Sequence, residues 1–223
     1  MLLVSADTSG KHGSIALARG DVDGSCSVIE TVSLDGSTFS AQLVPQISAL
    51  LSKHKFDKKE IGGFAVVSGP GSFTGLRVGL AAIKALAEVL AKPIAAVSLL
   101  EAVATASEFQ GDILAVLDAG RQQVYVGEYS VSYSGMVRLS ERSMTRDGFV
   151  NFVSGAKVVT PDPGIAEIAR SAGAAVQTIE IPGADVIARL GWKKILTGET
   201  LLPDQLEANY MSHSDGDIFS KRL

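Results

Sequence analysis

One glycine-rich string carries many of the residues that could do chemistry in this chain. It follows an apolar run at Phe64–Val67, precedes a helical run, and reads Gly69-Pro70-Gly71-Ser72-Phe73-Thr74-Gly75-Leu76-Arg77-Val78-Gly79. Glycines on both sides of a proline fit a tight turn. A strand, such a turn and a helix N-terminus leave backbone N–H groups free to bind an anion. Either Ser72 or Thr74 is expected to cap the helix.

Known phosphate-binding and nucleophile motifs do not fit this string. A P-loop requires Gly-Lys followed by Ser or Thr, whereas Gly10-Lys11 is followed by His12. In a dinucleotide-binding pattern Thr74 would replace the third glycine. In a nucleophile elbow Pro70 would replace the first glycine. The residues alone therefore favour a structural turn, the signature turn Gly69–Gly75, that lets helix and strand pack closely.

Two acidic turns are the other candidates for chemistry. Asp7, Thr8 and Ser9 follow the first apolar run, and Asp118 follows a later one. An acid can hold a magnesium shell while hydroxyl groups reach phosphates, so these four residues are nucleotide-binding candidates. Asp also commonly caps its own turn. Because Thr160–Gly164 poorly matches a glycine-rich adenosine loop, we favour the structural interpretation and predict no cofactor bound by this chain.

The three histidines do not suggest a metal site. His12, His54 and His213 are far apart, and no two are spaced four residues apart as in a helix-borne metal pair. His54 stands at a predicted helix end, where it would complement the helix dipole. His12 stands in a turn, where solvent exposure is expected. No metal ligand and no catalytic residue is predicted.

Composition is typical of a globular protein with one large or two small domains. The 223 residues are 46% hydrophobic, which is ample for a buried core. The net charge is −4 and no long basic run occurs, which disfavours tight direct binding of nucleic acid. A single cysteine, Cys26, suits a reducing compartment. No basic leader and no membrane-length apolar run is found, so we expect a cytoplasmic protein without membrane contact.

The two halves of the chain repeat one pattern. Leu2–Asp7 and Asp112–Asp118 are each an apolar strand that ends in Asp before a polar turn and a second strand. Phe64–Gly71 and Ala156–Gly164 each join a strand to a Pro/Gly turn before a helix. This repetition predicts a duplicated α/β unit. The predicted subdomains are residues 1–110 and a degenerate copy at residues 111–223.

Besides the helix at Ile165–Arg170 that follows the second Pro/Gly turn, helices are expected at residues 38–54, 75–91 and 98–109. The first has one apolar face, made by Phe39, Leu43, Ile47, Leu50 and Leu51. Pro45 should kink or shorten it, and Ser98 should cap the third helix in a capping box with Glu101. After Gly198 the chain becomes a polar tail, in which Ser212–Asp217 is predicted to be loosely ordered.

Taken together, these residues resemble one family. The similarity to the TsaB family (also called YeaZ), a bacterial partner in the threonylcarbamoyl modification of tRNA adenosine, rests on Gly69–Gly79, Asp7–Ser9, Val97–Ala102 and Leu117–Tyr125. It is dense from Met1 to about Tyr129 and thin beyond. The resemblance implies the duplicated actin/Hsp70/sugar-kinase-like (ASKHA) fold, with two similar α/β subdomains.

The resemblance also implies a function. It indicates a non-catalytic scaffold or activator that docks onto a TsaD-like catalytic subunit, works with a TsaE-like ATPase, and forms a homodimer when alone. The complex would use ATP and magnesium to modify the adenosine next to the anticodon, and tRNA would bind through the complex. The related TsaD family has a helix-borne histidine pair that this chain lacks. Phe39 stands where TsaB relatives often have histidine, which further argues against catalysis.

In this family the helix after the string, with the helix before it, forms the partner contact. Apolar residues cover most of the circumference of the predicted helix at 75–91, more than a helix packed on one side needs. Burial against its own sheet takes at least one face, and a second apolar face suggests docking. The interface candidates are Leu76, Gly79, Leu80, Ala82, Ile83, Lys84 and Leu86.

Two alternatives from other classes stay open. An ATP-dependent phosphotransferase of the same fold would use Asp7 and Asp118, and a nucleotide-binding titration would separate it from a scaffold. A peptidase is disfavoured, because the sequence has no His-Glu-x-x-His motif, no elbow serine and no Cys-His pairing.

Overall fold

The structure, a computed structural model, describes residues 1–35 and 38–211. The strands are β1 (Leu2–Asp7), β2 (His12–Gly20), β3 (Cys26–Asp35), β4 (Ile61–Gly69), β5 (Ile94–Ser98), β6 (Gly111–Gly120), β7 (Gln123–Ser132), β8 (Gly135–Thr145), β9 (Lys157–Thr160) and β10 (Ala175–Thr178). The α-helices are α1 (Phe39–Lys53), α2 (Phe73–Leu90), α3 (Leu99–Thr105), α4 (Arg146–Phe152), α5 (Pro163–Ser171) and α6 (Ala184–Leu196). Short 3₁₀ helices lie at Lys58–Glu60 and Pro203–Gln205.

The strands form two five-stranded sheets of the same topology. The first has the order β3-β2-β1-β4-β5 and the second β10-β9-β6-β7-β8, which is the same connectivity read from the opposite edge. In each sheet the three strands that come first in the chain, β1–β3 or β6–β8, form an antiparallel meander. The two later strands pair in parallel: β4 pairs with β1 and β5 with β4 in one sheet, and β9 pairs with β6 and β10 with β9 in the other. The duplicated α/β fold predicted from the sequence is therefore confirmed.

The chain divides into two compact units. The first contains Met1–Leu99 and Pro182–Asn209, and the second contains Leu100–Ile181 together with, among the described residues, Tyr210 and Met211. This division differs from the predicted subdomains, because the chain returns to the first unit after Ile181. Helix α6 causes the difference, since it packs against β1, β2, β4 and β5 of the first sheet.

Two close contacts fix α6 on the first sheet. The ring of Trp192 lies over Gly20, where a Cβ atom would be 2.2 Å from an indole carbon, and its N–H donates to the Asp21 carbonyl at 3.1 Å. Gly191 lies directly on Ala65, with no room for a Cβ atom between them. Neither contact could be expected from local sequence pattern.

Helices α1 and α2 pack against each other and against strands β1 to β4 of the first sheet. The five buried residues of α1 are those of the predicted apolar face. The helix runs through Pro45 without interruption, so the shortened start expected there is wrong. Pro45 lies on the exposed side of the helix, away from the buried face.

The second unit has its own apolar core. Buried residues of the sheet and of helices α4 and α5 make it, among them Val116, Val126, Phe149, Val158 and Ile165. Helix α3 ends at Thr105, four residues before the predicted end. The Phe109 N–H instead donates to the Ser107 hydroxyl at 3.0 Å, which closes a local turn where the helix would have continued.

The polar tail after Gly198 packs on the first unit. Leu201 exchanges backbone hydrogen bonds of 2.8 and 3.2 Å with Ile94, Leu206 is buried, and the Asn209 N–H donates to the Ser68 carbonyl at 2.7 Å. We call Leu201–Asn209 the strap. The prediction for Ser212–Asp217, and that for His213, fall outside the described residues.

Among the described residues, no helix combines the length and the apolar character needed to cross a membrane.

Candidate functional site

The signature turn joins β4 to α2. Its residues are Gly69, Pro70, Gly71, Ser72, Phe73, Thr74 and Gly75. Ser72 is the N-cap of α2, as the sequence predicted, and its hydroxyl accepts a hydrogen bond of 3.3 Å from the Gly75 N–H. The Ser72 N–H donates to the Ser9 carbonyl at 2.7 Å. The turn is thus bonded to the segment that follows β1.

Three glycines of the string make close contact with Thr8 and Ser9. A Cβ atom would lie 2.6 Å from the Ser9 carbonyl oxygen at Gly71, 2.0 Å from the Thr8 carbonyl oxygen at Gly75, and 2.2 Å from the Thr8 hydroxyl at Gly79. Real Cβ atoms essentially never approach other atoms within 3.0 Å. The glycine spacing therefore serves close packing, the structural interpretation that the residues alone favoured.

The polar groups of Asp7, Thr8 and Ser9 are used within the fold. The Thr8 hydroxyl donates to the Gly75 carbonyl at 2.8 Å. The N–H and hydroxyl of Ser9 both donate to Asp7 Oδ1, at 2.8 and 2.6 Å. All three residues are at most 5% exposed. Burial raises the pKa of the Asp7 carboxyl, while the two hydrogen bonds from Ser9 act in the opposite direction.

Asp118 also forms a hydrogen bond within the turn that follows its strand. Its Oδ1 accepts 3.0 Å hydrogen bonds from the Gly120 N–H and from Nη2 of Arg146, and its N–H donates to Oδ2 of Asp162 at 2.8 Å. Asp118 therefore connects the β6–β7 turn to the start of α4 and to the N-cap of α5. Sequence analysis missed Arg146 and Asp162, because both are distant in sequence and no local pattern pairs them with Asp118.

The described histidines lie apart from these turns. His12 is exposed at the start of β2. His54 is the C-cap of α1, and its Nε2 lies 2.7 Å from Oε2 of Glu30 on β3. Lys53 Nζ binds the other carboxylate oxygen of Glu30, also at 2.7 Å. These two partners lower the pKa of Glu30, Lys53 more than His54. Within residues 1–35 and 38–211, no group of three His, Cys, Asp or Glu side chains could hold a metal ion.

The interface prediction for α2 requires a correction. Leu76, Gly79, Leu80 and Ile83 are buried within the first unit and cannot contact a partner in this fold. Ala82, Lys84 and Leu86 are half-buried. The reason is that α2 is covered on several sides, by β4, β1 and β5, by α1, and by the 3₁₀ helix of the strap. This burial accounts for most of its apolar circumference.

A different set of α1 and α2 residues faces solvent. We call it the helix face, and its members are Ala41, Val44, Pro45 and Ala49 of α1 and Ala81, Ala85 and Val89 of α2. No charged residue occurs between Phe39 and Ser52 of α1. The Val89 side chain is 83% exposed. This surface is largely apolar, although Ser48 is also exposed on α1, and it carries no charge along that helix, which is unusual for the solvent side of a helix pair.

Two five-stranded sheets of one topology, with an acidic turn after the first strand of each, define the actin/Hsp70/sugar-kinase-like class of proteins. Comparison with known proteins narrows the class. The family model described as "TsaD: tRNA N6-adenosine threonylcarbamoyltransferase" matches residues 35–186, and the chain belongs to this family. Its similarities place it with the TsaB (YeaZ) proteins.

Two relatives and one solved structure illustrate the similarity. The tRNA threonylcarbamoyladenosine biosynthesis protein TsaB of Bacillus subtilis is 35% identical over 130 residues, 58% of this chain and 55% of that protein. TsaB of Haemophilus influenzae is 29% identical over 57% of this chain and 53% of that protein. The chain thus spans about half the length of the curated relatives it matches. The structure of YeaZ from Pseudomonas aeruginosa superposes with a TM-score of 0.73 at 22% identity, covering 94% of this chain and 99% of that one.

Proposed function

We propose that this chain is an accessory subunit of the assembly that transfers a threonylcarbamoyl group to the adenosine next to the anticodon of tRNA. It docks onto a TsaD-like catalytic subunit, works beside a TsaE-like ATPase, and pairs with a second copy when no catalytic subunit is present. ATP, magnesium and tRNA are bound by the assembly, in the cytoplasm. The names of the relatives and the family model support the pathway.

The hydrogen bonds that already engage the nucleotide-binding candidates support an accessory role. Asp7, Thr8 and Ser9 are buried; Ser9 donates both of its hydrogen bonds to Asp7, and the Thr8 hydroxyl donates to Gly75 of the signature turn. Asp118 is bonded to its own turn and to Arg146. A phosphotransferase would need these groups to face a nucleotide, so both turns would have to open first. A non-catalytic subunit needs no such rearrangement.

The helix face is the observation that carries the docking proposal. Removing exposed apolar surface from water lowers the free energy by about 25 cal/mol per Å². The small side chains Ala81 and Ala85 let a partner helix approach α2 closely, and Val44 and Val89 add larger apolar surface on both helices. Because α1 contributes no charge between Phe39 and Ser52, a partner can cover it without leaving a buried ion unpaired.

Reconstitution tests the proposal. The purified chain with tRNA, threonine, bicarbonate and ATP is expected to give no modified adenosine, as read by mass spectrometry of tRNA nucleosides. Adding the other subunits should give the modified nucleoside, and omitting this chain should abolish or strongly slow its formation. Turnover by this chain alone, or full activity without it, would contradict the accessory role.

A further inference from the structure

Positive charge is concentrated on the first unit, around the C-terminal end of α1. Four lysines lie between the last turn of α1 and the 3₁₀ helix before β4, and the guanidinium of Arg19 on β2 lies 5.7 Å from the centre of the Phe56 ring in the same segment. We call this group the basic patch, and its members are Arg19, Lys53, Lys55, Lys58 and Lys59. We propose that the basic patch binds the phosphate backbone of an RNA.

Four of the five cations are not paired with a carboxylate. Arg19, Lys55, Lys58 and Lys59 are exposed, and none of them forms an ion pair with any residue that the structure describes. Only Lys53 is paired within this part of the chain, with Glu30. A lysine ammonium binds phosphate as a point charge and does not select a base. The patch is therefore suited to contacts with a nucleic-acid backbone.

The carboxylates of this region are engaged by other donors. Asp57 Oδ1 accepts the N–H of Lys59, and Glu60 Oε1 accepts the N–H of Asp57, both at 2.8 Å, as a capping box of the 3₁₀ helix. The two carboxylate oxygens of Glu30 bind the side chains at the end of α1. The patch thus combines five cations with three carboxylates, and it stays positive in a chain whose net charge is −4.

The patch lacks the apolar anchor that a membrane surface would require. Among the described residues from Lys53 to Glu60, no large apolar side chain is exposed. Phe56 is half-buried, with Arg19 over its ring. Segments that lie in a membrane interface insert Trp, Phe or Leu into it. Lysines on a polar surface are instead typical of proteins that contact nucleic-acid phosphates, which fix position without reading sequence.

This inference rests on the proposed function for the identity of the RNA, which is tRNA. The net negative charge of the chain opposes tight binding by the isolated protein. We therefore expect a dissociation constant in the range of non-specific nucleic-acid binding, roughly 10⁻⁶–10⁻⁴ M at physiological salt. The basic patch would add to the affinity of the assembly for tRNA, as a contact made by this subunit itself.

Binding of tRNA by the isolated chain at different salt concentrations tests the patch. Fluorescein-labelled tRNA is titrated with the chain and followed by anisotropy, between about 50 and 200 mM KCl. Four phosphate contacts predict that log K falls against log [KCl] with a slope of about −3 to −4. Lys58→Gln combined with Lys59→Gln should reduce this slope by about 2 and weaken binding at least about tenfold.

A matched pair of substitutions makes the test specific. Lys11→Gln combined with Lys157→Gln removes the same charge from two exposed lysines outside the patch and should leave tRNA binding unchanged. The proposal is overturned if the parent chain does not bind tRNA at roughly 0.1 mM, or if the two double variants bind alike. Phosphatidylglycerol vesicles, tested in parallel, should bind less tightly than tRNA. Tighter binding to the vesicles would assign the patch to a membrane surface and overturn the proposal.

Reconstitution separates this inference from the proposed function. With the other subunits present, Lys58→Gln combined with Lys59→Gln should raise KM for tRNA at least about threefold and leave kcat unchanged. Association with the TsaD-like subunit should also be unchanged. Its loss would assign the patch to a protein partner and overturn the proposal. Failure of the proposed function would appear differently, as tRNA binding by the isolated chain without any effect of the chain on adenosine modification.

Discussion

A Cβ atom at Gly79 would lie 2.2 Å from the hydroxyl oxygen of Thr8. Gly79 is on α2 and Thr8 directly follows β1, so this contact sets how closely the helix approaches the sheet. The same hydroxyl donates to the carbonyl of Gly75, one turn earlier on the helix. Thr8 therefore packs against two glycines of the string, Gly75 and Gly79. The contacts of these glycines hold α2 against the sheet within the first unit.

Replacing Gly79 by alanine should destabilise the first unit. Alanine has the higher helix propensity, by about 1 kcal/mol, but its methyl group cannot fit against Thr8, and overpacking of this kind costs about 1–3 kcal/mol. Urea unfolding should show a net loss of stability. Gly164→Ala in α5 is the matched control, because no heavy atom lies within 4 Å of its Cβ position. Equal stability of the two variants would contradict the packing argument.

Ala85→Arg tests the helix face without disturbing the fold. Ala85 is exposed on α2, so the free protein should keep its circular dichroism and melting temperature. A partner covering this face would have to bury an unpaired guanidinium, which costs about 3–5 kcal/mol of binding. Sedimentation and pull-down with the TsaD-like subunit should show lost association. The control, Ala106→Arg, changes an exposed alanine of the second unit and should still associate.

Retained association of Ala85→Arg would place the interface elsewhere. Gly79→Arg cannot serve this purpose, because Gly79 is buried and its substitution would unfold the protein rather than report on docking.

Asp7 should make stability fall as pH rises through the acidic range. Burial raises the pKa of its carboxyl above the ordinary 3.8, so the folded state holds the proton to higher pH than the unfolded chain. Stability from this group is therefore greatest at low pH and is lost across that window. Asp7→Asn keeps an acceptor for Ser9 and removes the buried charge. It should melt higher than the parent at pH 7, and its advantage should shrink toward pH 4.

Asp7→Ala is the control for the hydrogen bonds. It leaves both Ser9 donors without their acceptor and should lower stability by about 1–3 kcal/mol. An Asp7→Asn advantage that grows on acidification would reverse the proposed sign. A folded Asp7→Asn variant that associates normally but stops the reconstituted reaction would indicate a nucleotide or ion at this turn.

The β6–β7 turn should accept a stabilising substitution. Arg121 and Gln122 have φ values of 49° and 63°, in the left-handed region, and form a two-residue hairpin loop. Such loops favour Asn-Gly, because glycine and asparagine reach positive φ at low cost. Replacing Arg121 and Gln122 by Asn and Gly should raise the free energy of unfolding by about 1 kcal/mol. A lower melting temperature would show that the two side chains make contacts that outweigh the strain.

The sequence predicted what local pattern determines. The buried face of α1, the N-cap at Ser72 and the two strands that end in Asp7 and Asp118 all follow from spacing or from a residue's own backbone preference. The repeated order of these patterns was enough to predict a duplicated fold.

What sequence reasoning missed depends on contacts distant in the chain. Helix α6 is specified by the fit of Trp192 on Gly20, and the strap by backbone bonds to Ile94 and Ser68. From sequence alone the apolar circumference of α2 suggests a partner, because no local pattern predicts that the strap and its 3₁₀ helix cover this helix. The polar composition of the tail gave no indication that Leu206 is buried.

The return of the chain to its first unit has a consequence for synthesis. All five strands of the first sheet leave the ribosome before Leu100–Ile181, and α6 leaves only afterwards. At about 5–20 residues per second this interval lasts on the order of 4–16 s. Throughout it, the surface around Gly20 and Ala65 has not yet received Trp192 and Gly191. Leu100–Ile181 of the second unit is synthesised before α6, so the sheet that is made first receives this covering helix only after most of the second unit has been made.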